Sequence, residues 1–555
     1  MEPGLRLVGR LEESRHHASC RSLPPRAGAV TPRSLAEAVA LRAEADPTGE
    51  LVRMAGGRGW TAAELYERAA EIARGLSRYV AGGDTVATAL PGGPETIAVT
   101  VALSILGAVE LPLGDNVDDD WARRLAVTTH CVLAITDEGE LSRRPVLGTL
   151  GHGGAVSTVV TGSAPAAVPL EELIATAAPG LPSPGADLSR PAVVMPTSGT
   201  TGRPKGALLP NGAGIGQAQR VQRAMRYDTS DVLLNFFPWQ HINARHSAFL
   251  PAVTSGARLV VDGRFSASRF WRIAHDEGIT AFNFMGAVCA ILLQQPVGPL
   301  DRDHRVSRGY GGPAPAWLVA RMRERFGVEL RQAYACTELA DVATTGATVR
   351  PGAAGQIVPE YDVRVLLEDG RPAPEGTRGE LQVRPRQENL TFLEYVGDPD
   401  ATTAAWQDGW FRTGDQVRLE DDWLYFEGRS AEVIRRRGVN ISPHLIEEVT
   451  LALPGVMEVA AVGVPSDLTE DDVLVAVVAA PGVDLQPGEI HRHCRERLPR
   501  ACLPRYISIE SQLPRNGSLK VLRAPLRERG VPANAWDAEA LASDPPPAPS
   551  RTETA

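Results

Sequence analysis

Two hydrophobic periods alternate along most of this chain. Short apolar runs at 84–90, 107–112, 131–136, 192–195, 233–238, 257–261, 281–284 and 329–334 read as buried strands. Between them lie stretches with helical spacing. One begins at Ser34, with Leu35, Val39 and Leu41 on its apolar side. A second follows Thr61, an N-cap residue with Glu64 three positions on, and runs to about residue 79. Others cover 94–106, 270–277 and 316–326. Strands alternating with helices predict an α/β fold, a large domain of largely parallel αβ layers. Residues 150–190 are rich in Gly, Ala, Ser and Pro and carry no clear period. From about residue 355 the pattern shortens to alternating strands, with turn signals at Asp369-Gly370, Glu375-Gly376 and Asp408-Gly409. This predicts a small β-subdomain. After Arg429 a compact α+β region follows, with strands at 456–464 and 473–479. The expected organisation is an irregular segment 1–30, a large domain 31–430, a small mobile C-terminal domain 431–530, and a Pro-rich, disordered tail 531–555.

Composition narrows the class. A chain of 555 residues, 43% hydrophobic and 22% charged, suits a multi-domain globular protein. The net charge of −10 does not suggest a nucleic-acid partner. No run of 18 apolar residues exists and the N-terminus has no signal-peptide core, so membrane insertion is not expected and a cytoplasmic location is. Six scattered cysteines without a C-x-x-C agree with reduced thiols rather than a disulfide framework or a zinc site.

The chemistry gathers at Thr197-Ser198-Gly199-Thr200-Thr201-Gly202-Arg203-Pro204-Lys205-Gly206, directly after an apolar strand. Glycines let backbone N–H groups approach a ligand, hydroxyls add donors, and Lys205 adds a charge. That set grips phosphate oxygens. It is not the G-x-x-x-x-G-K-[ST] loop. Lysine usage sharpens the reading. Of 57 basic residues only Lys205 and Lys520 are lysines; the rest are arginines. A compact ammonium was kept at two places, one of them inside the phosphate-gripping stretch, where a guanidinium fork does not substitute for it.

Four further stretches join it. They are Arg331-Gln332-Ala333-Tyr334-Ala335-Cys336-Thr337-Glu338, Gly409-Trp410-Phe411-Arg412-Thr413-Gly414-Asp415, the segment from Gly428-Arg429 through Gly438 to Pro443, and Pro514-Arg515-Asn516-Gly517-Ser518-Leu519-Lys520. Over about residues 32–527, in this order, the chain resembles the adenylate-forming (AMP-binding) superfamily of acyl-CoA synthetases, luciferases and peptide-synthetase adenylation domains. Local wording such as His241-Ile242-Asn243-Ala244 and Phe265-Ser266-Ala267-Ser268-Arg269-Phe270-Trp271 looks most like the carnitine/crotonobetaine and medium-chain acyl-CoA ligase branch.

The resemblance implies ATP-dependent activation of a small carboxylic acid as acyl-adenylate, with release of pyrophosphate, then transfer to CoA. It implies that Thr197, Ser198, Gly199, Thr200, Thr201, Gly202 and Lys205 hold phosphates, and that Glu338, with Thr200, binds Mg²⁺. Gly312, Pro313, Ala314, Ala333, Tyr334 and Ala335 would take the nucleotide, with Tyr334 stacked on adenine, Asp415 on the ribose and Arg429 nearby. Thr337 would contact the α-phosphate, and Lys520 the α-phosphate and attacking carboxylate. Gly438 would serve the CoA step after the C-terminal domain swings about Ala431. His241, Arg245, Gly286, Gly311 and Cys336 would line the acid pocket, His241 closing it. Arg245 would pair with a second acidic or polar group on the substrate, against the alternative of a surface ion pair. The chain departs from the family wording at Gln240, Ala335, Cys336, Ala431 and Leu519. Cys336 has no implied His/Asp partner and reads as pocket wall rather than nucleophile. His491-Arg492-His493-Cys494 reads as a packed helix rather than a metal site. Other acceptors stay open: an amine, a carrier protein, or nitrite activated for an aryl amine. So does a non-catalytic nucleotide-binding protein. The oligomeric state, a homodimer included, is open as well.

Overall fold

The computed structural model describes residues 30–540 apart from 115–116, 153–155, 166, 181–185, 198–204, 438, 467–469 and 516–520. The chain divides into two units, Met1–Thr31 and Pro32–Ala555. Of the first only residues 30 and 31 are described, so the expected irregular N-terminal segment lies outside the described residues, as does the tail from 541.

The expected parallel layers form the body of the second unit. Glu50–Met54, Arg258–Val261, Val232–Asn235, Ala281–Phe284, Arg308–Gly311 and Glu329–Cys336 run parallel, in that spatial order, within a sheet of 14 strands among the described residues. Val232–Asn235 and Ala281–Phe284 are buried at every position, as continuous apolar strands covered on both faces must be. The run expected at 233–238 leaves the sheet at Asn235. Its side chain hydrogen-bonds with Phe237 in both directions, and Pro238 has no N–H to continue the ladder.

A second sheet, of eight strands among the described residues, joins Thr85–Ala89, Val109–Pro112, Leu133–Asp137 and Thr158–Thr161 to an antiparallel pair, Pro191–Thr197 with Lys205–Pro210. Thr158–Thr161 and the helix Leu170–Ala175 fall in the stretch that showed no period. Four to six residues are too few to establish one. The main core packs between the sheets, with Ile97, Leu103, Trp239 and Phe249 buried in it.

Local signals set several helix ends. Thr61 and Glu64 form a reciprocal capping box ahead of Ala62–Leu76. Pro94–Leu106 starts on a proline and stops at Gly107, which is left-handed at φ 66°. Ala316–Phe326 has the bounds its periodicity predicts and ends on left-handed Gly327.

The β-subdomain is an antiparallel set that includes Tyr361–Leu366, Gly379–Pro385, Trp410–Glu420 and Trp423–Arg429. Asp408 and Gly409 both take positive φ, as a two-residue hairpin turn requires. The C-terminal region builds a separate sheet, four-stranded among the described residues, from Val456–Pro465, Asp471–Ala479, Tyr506–Glu510 and Trp536–Asp537. The last strand lies inside the stretch read as a disordered tail from 531. Trp536 pairs with Ile507 and its ring meets His491, so one aromatic side chain anchors a segment whose prolines argued against structure.

Candidate active site

The strands on either side of the phosphate-gripping stretch, Pro191–Thr197 and Lys205–Pro210, pair antiparallel in the second sheet. Thr197 faces Lys205 in that pairing. Ser198, Gly199, Thr200, Thr201 and Gly202 lie outside the described residues. Lys205 opens the return strand, and its Nζ sits 4.5 Å from the centre of the Tyr395 ring. Tyr395 reaches the return strand because Glu394–Tyr395 pairs antiparallel with Ala207 and Leu208. Its hydroxyl donates to Glu338 Oε1 at 2.7 Å. Glu338 stands in the turn between Glu329–Cys336 and Ala340–Thr344, and its carbonyl accepts from Phe392 N at 2.7 Å. Three distant segments therefore bring an ammonium, a phenol and a carboxylate together. Burial, then the charge of Glu338, pushes the Tyr395 phenol up, so it remains a donor. The sequence reading missed Tyr395. A tyrosine in a two-residue strand carries no period, and only the pairing with the return strand marks it.

A second cluster adjoins the same strand end. Tyr334 donates to Asp415 Oδ2 at 2.5 Å. Asp415 and Arg429 are register partners on neighbouring strands, and Arg429 Nε lies 3.3 Å from Asp415 Oδ1. Burial would lower the Arg429 guanidinium, but Asp415 and Glu432 raise it. Burial, then Asp415, holds the Tyr334 phenol well above its usual value. The Cys336 thiol is likewise pushed well up by burial and then by Glu338 and Asp415. It is a thiol at neutral pH, which fits pocket wall and not a nucleophile.

The third part lies at the carboxyl ends of the parallel strands, where open α/β sheets bind ligands. Gly286, Gly311 and Gly312 let successive loops touch. A Cβ on Gly311 would fall 1.9 Å from the Phe284 carbonyl oxygen, and one on Gly286 2.4 Å from that of Pro313. Ala314 N donates to Gln332 Oε1 at 2.7 Å, and Ala333 O lies 3.1 Å from where a Cβ on Gly312 would be. These contacts tie the loop Gly311–Ala314 to the strand that carries Ala333, Tyr334 and Ala335; Thr337 follows in the turn.

His241 caps the short helix Ile242–Ala244, its Nδ1 accepting from Asn243 N at 3.2 Å, and is half-exposed. The Asn243 side chain is held in turn by Asn283 Nδ2 at 2.8 Å.

Arg245 is set apart from these groups. Its terminal nitrogens grip both Glu110 oxygens at 2.7 Å each, and its Nε donates to Trp239 O at 2.5 Å. The side chains of Arg245 and Glu110 are only 6% and 3% exposed. The pair is neither at the surface nor free to meet a substrate group. The sequence offered no sign of it, because 135 positions separate the partners.

Lys520 and Gly438 lie outside the described residues. The segment just beyond Lys520 is tied to the turn Ser430–Glu432 through Arg523, 3.0 Å from Glu432 and 2.7 Å from Glu447. In the His491–Cys494 stretch the two histidines and the cysteine each have a protein neighbour. His491 meets Trp536, His493 Nε2 lies 3.0 Å from Val449 O, and Cys494 Sγ lies 3.5 Å from Thr450 Oγ1.

Comparison with known proteins gives two family matches: AMP-binding enzyme over residues 39–392, and AMP-binding enzyme C-terminal domain over 445–520. Sulfoacetate–CoA ligase of Cupriavidus necator is 33% identical over 453 residues, covering 80% of this chain and 87% of that protein. Crotonobetaine/carnitine–CoA ligase of Escherichia coli is 31% identical over 348 residues, covering 60% of this chain and 66% of the relative. Among solved structures, the anthranilate CoA ligase AuaEII with anthranoyl-AMP superposes with a TM-score of 0.82 at 19% identity, covering 91% of this chain and 98% of that one. ATP-bound MatB from Rhodopseudomonas palustris gives 0.78 at 24% identity, covering 89% and 98%. At these identities the structures establish the fold.

Proposed function

The chain belongs to the AMP-binding enzyme family, and from that premise we propose how its own residues divide the work of an acid–CoA ligase. The activity is ATP-dependent and adenylate-forming: a carboxylate oxygen attacks the α-phosphorus of ATP, and the bond to pyrophosphate breaks. The sulfur of CoA then attacks the acyl carbon, AMP leaves, and the thiol proton passes to solvent.

The observation that carries the assignment of roles is the cluster of Lys205, Tyr395 and Glu338 beside that of Tyr334, Asp415 and Arg429. Two anions must meet in the first step, so positive charge and donors have to be preset around the triphosphate. Lys205 and the stretch from Thr197 to Gly202 hold the outer phosphates. Glu338 suits Mg²⁺, since Tyr395 engages only one carboxylate oxygen and this metal takes one or two carboxylates plus phosphate oxygens. The metal would supply charge neutralisation on the triphosphate. Asp415 accepts the ribose hydroxyls, braced by Arg429 and Tyr334. Thr337 and Lys520 serve the α-phosphate, and His241 closes the acid pocket.

The acid is small and carries a second polar group. Two things support this: relatives named for sulfoacetate and for carnitine and crotonobetaine, and the polar side chain of Asn243, two residues after His241 and held by Asn283. The test is pyrophosphate release from ATP and Mg²⁺ across a panel of short acids, with and without CoA. Release that needs an acid and a thioester that needs CoA are expected. Acid-dependent release with no thioester would overturn CoA as acceptor. Release unchanged in Lys520→Ala would overturn the assigned roles.

A further inference from the structure

Asn283 breaks the pattern of its strand. Ala281–Phe284 is buried at every position and otherwise apolar, yet its third residue is an amide only 2% exposed. Buried polar side chains persist where hydrogen bonds satisfy them. Asn283 Nδ2 donates to Ser247 O at 3.0 Å and to Asn243 Oδ1 at 2.8 Å. The Ser247 carbonyl can only accept, so the atom facing it is the nitrogen, and Asn243 must present its oxygen to the same nitrogen. Asn243 lies in the short helix that His241 caps, and Ser247 in the wider turn Arg245–Phe249 that continues it. Asn283 therefore grips this segment at two points. The grip is itself held. Gln217, 1% exposed, donates to Ser247 Oγ at 3.0 Å and accepts from Asp341 N at 3.0 Å. Asp341 lies in Ala340–Thr344, the strand that leaves the turn carrying Glu338. The strand end that carries Asn283 also pairs Phe284 with Gly311 and leads into the helix opened by Gly286, both assigned above to the acid pocket.

We propose that Asn283 is the positioning residue of His241 and sets how that side chain closes over the acid; the proposal rests on the ligase reading above. The ring moves with the segment that Asn283 grips, because His241 Nδ1 accepts from Asn243 N at 3.2 Å. The helix Ile242–Ala244 is too short to fix its own place through backbone bonds alone. A buried amide locked by partners on both sides supplies what the helix lacks. Packing alone would be served by an apolar side chain of similar volume, without the cost of burying an amide. The gain from precise placement is large, since a misplacement of about 1 Å can cost about a hundredfold in rate.

The experiment is pyrophosphate release by the full-length chain with ATP, Mg²⁺ and short acids that carry a second polar group: malonate, sulfopropionate, glycolate and betaine. It compares wild type, Asn283→Leu, His241→Ala and the double variant. Asn283→Leu is expected to lower kcat/KM for the acid roughly 10- to 100-fold, with KM for ATP within about twofold of wild type. In the His241→Ala background the same substitution is expected to change it by less than about twofold, since a residue that acts through His241 then has nothing left to position. Equal losses in the two backgrounds would overturn the proposal, because a general structural defect or a direct contact of Asn283 with the acid adds to the loss of His241. So would unchanged acid kinetics in folded Asn283→Leu. If that variant does not fold, Ser247→Ala takes its place. It removes only the hydroxyl that Gln217 grips, and a smaller loss with the same dependence on His241 is expected; no loss, or an equal loss in both backgrounds, overturns the proposal. Silence of the wild type with every acid would sink the ligase reading and this proposal with it; acid-dependent release indifferent to Asn283→Leu sinks only the positioning role.

Discussion

At the residue scale, the informative side chains are those whose partners lie far away in sequence. Tyr395 joins Lys205 to Glu338 through one hydroxyl and one ring face. Hydrogen bonds to charged groups are worth about 1.5–3 kcal/mol. Tyr395→Phe is therefore expected to lower kcat/KM for ATP roughly 10- to 100-fold with little change in KM for the acid; steady-state kinetics in each substrate would check it. His246 gives a pH prediction. Burial, reinforced by Arg245 and Arg220, lowers its pKa to about 3. The unfolded chain then binds more protons than the folded one between about pH 3 and the ordinary histidine value of about 6.5. The stability contributed by neutral His246 is present above that value and is lost as pH falls, by about 1.4 kcal/mol per unit. Denaturant melts of His246→Gln across this window are expected to show a shallower pH dependence than wild type; an identical slope would remove His246 as the cause. Glu110 acts with the same sign. Burial would raise its carboxyl, but the Arg245 charge holds it below the ordinary range, so its contribution also fades on acidification.

At the element scale, the site is held by junctions between elements. The helix that His241 caps runs directly into a wider π-type turn, Arg245–Phe249. Such turns occur often at functional sites. Here the turn leaves His241 half-exposed while Arg245 is delivered to the buried pair. Glu110 comes from the second sheet, so the pair also bonds this turn to Val109–Pro112. Breaking it on one side leaves a buried charge. Glu110→Ala alone is expected to cost about 3–5 kcal/mol in stability, and pairing it with Arg245→Ala to recover part of that loss; thermal or chemical melts of the three variants would measure the coupling. The capping box at Thr61 was visible in the sequence because it needs only four residues. The strands flanking 198–204 are half legible in the sequence: the first carries an apolar run, whereas its antiparallel return from Lys205 shows itself only in the pairing. Arg523 is a comparable junction near the end of the chain. It ties the segment after Lys520 to Glu432 and Glu447.

At the scale of the whole molecule, the proposed division gives the two half-reactions to different residues of the C-terminal region, Lys520 for adenylation and Gly438 for thioester formation. Lys520→Ala is therefore expected to reduce pyrophosphate release by orders of magnitude while sparing CoA transfer from a supplied acyl-adenylate; equal loss in both assays would refute the division. By itself the sequence determined the αβ alternation, the ordered motifs and the short-range devices. It did so because strand and helix periods, caps and turn glycines are written within a few neighbouring residues. Lys205, Glu338, Tyr334, Asp415 and Arg429 could be named for the same reason, each lying in a short worded stretch. The tertiary structure alone decided what Arg245 does, that Tyr395 belongs to the site, and that Trp536 anchors a strand past residue 530. Each depends on a partner tens to more than a hundred residues away, and long-range pairing of charges, rings and strand edges leaves no local period to read.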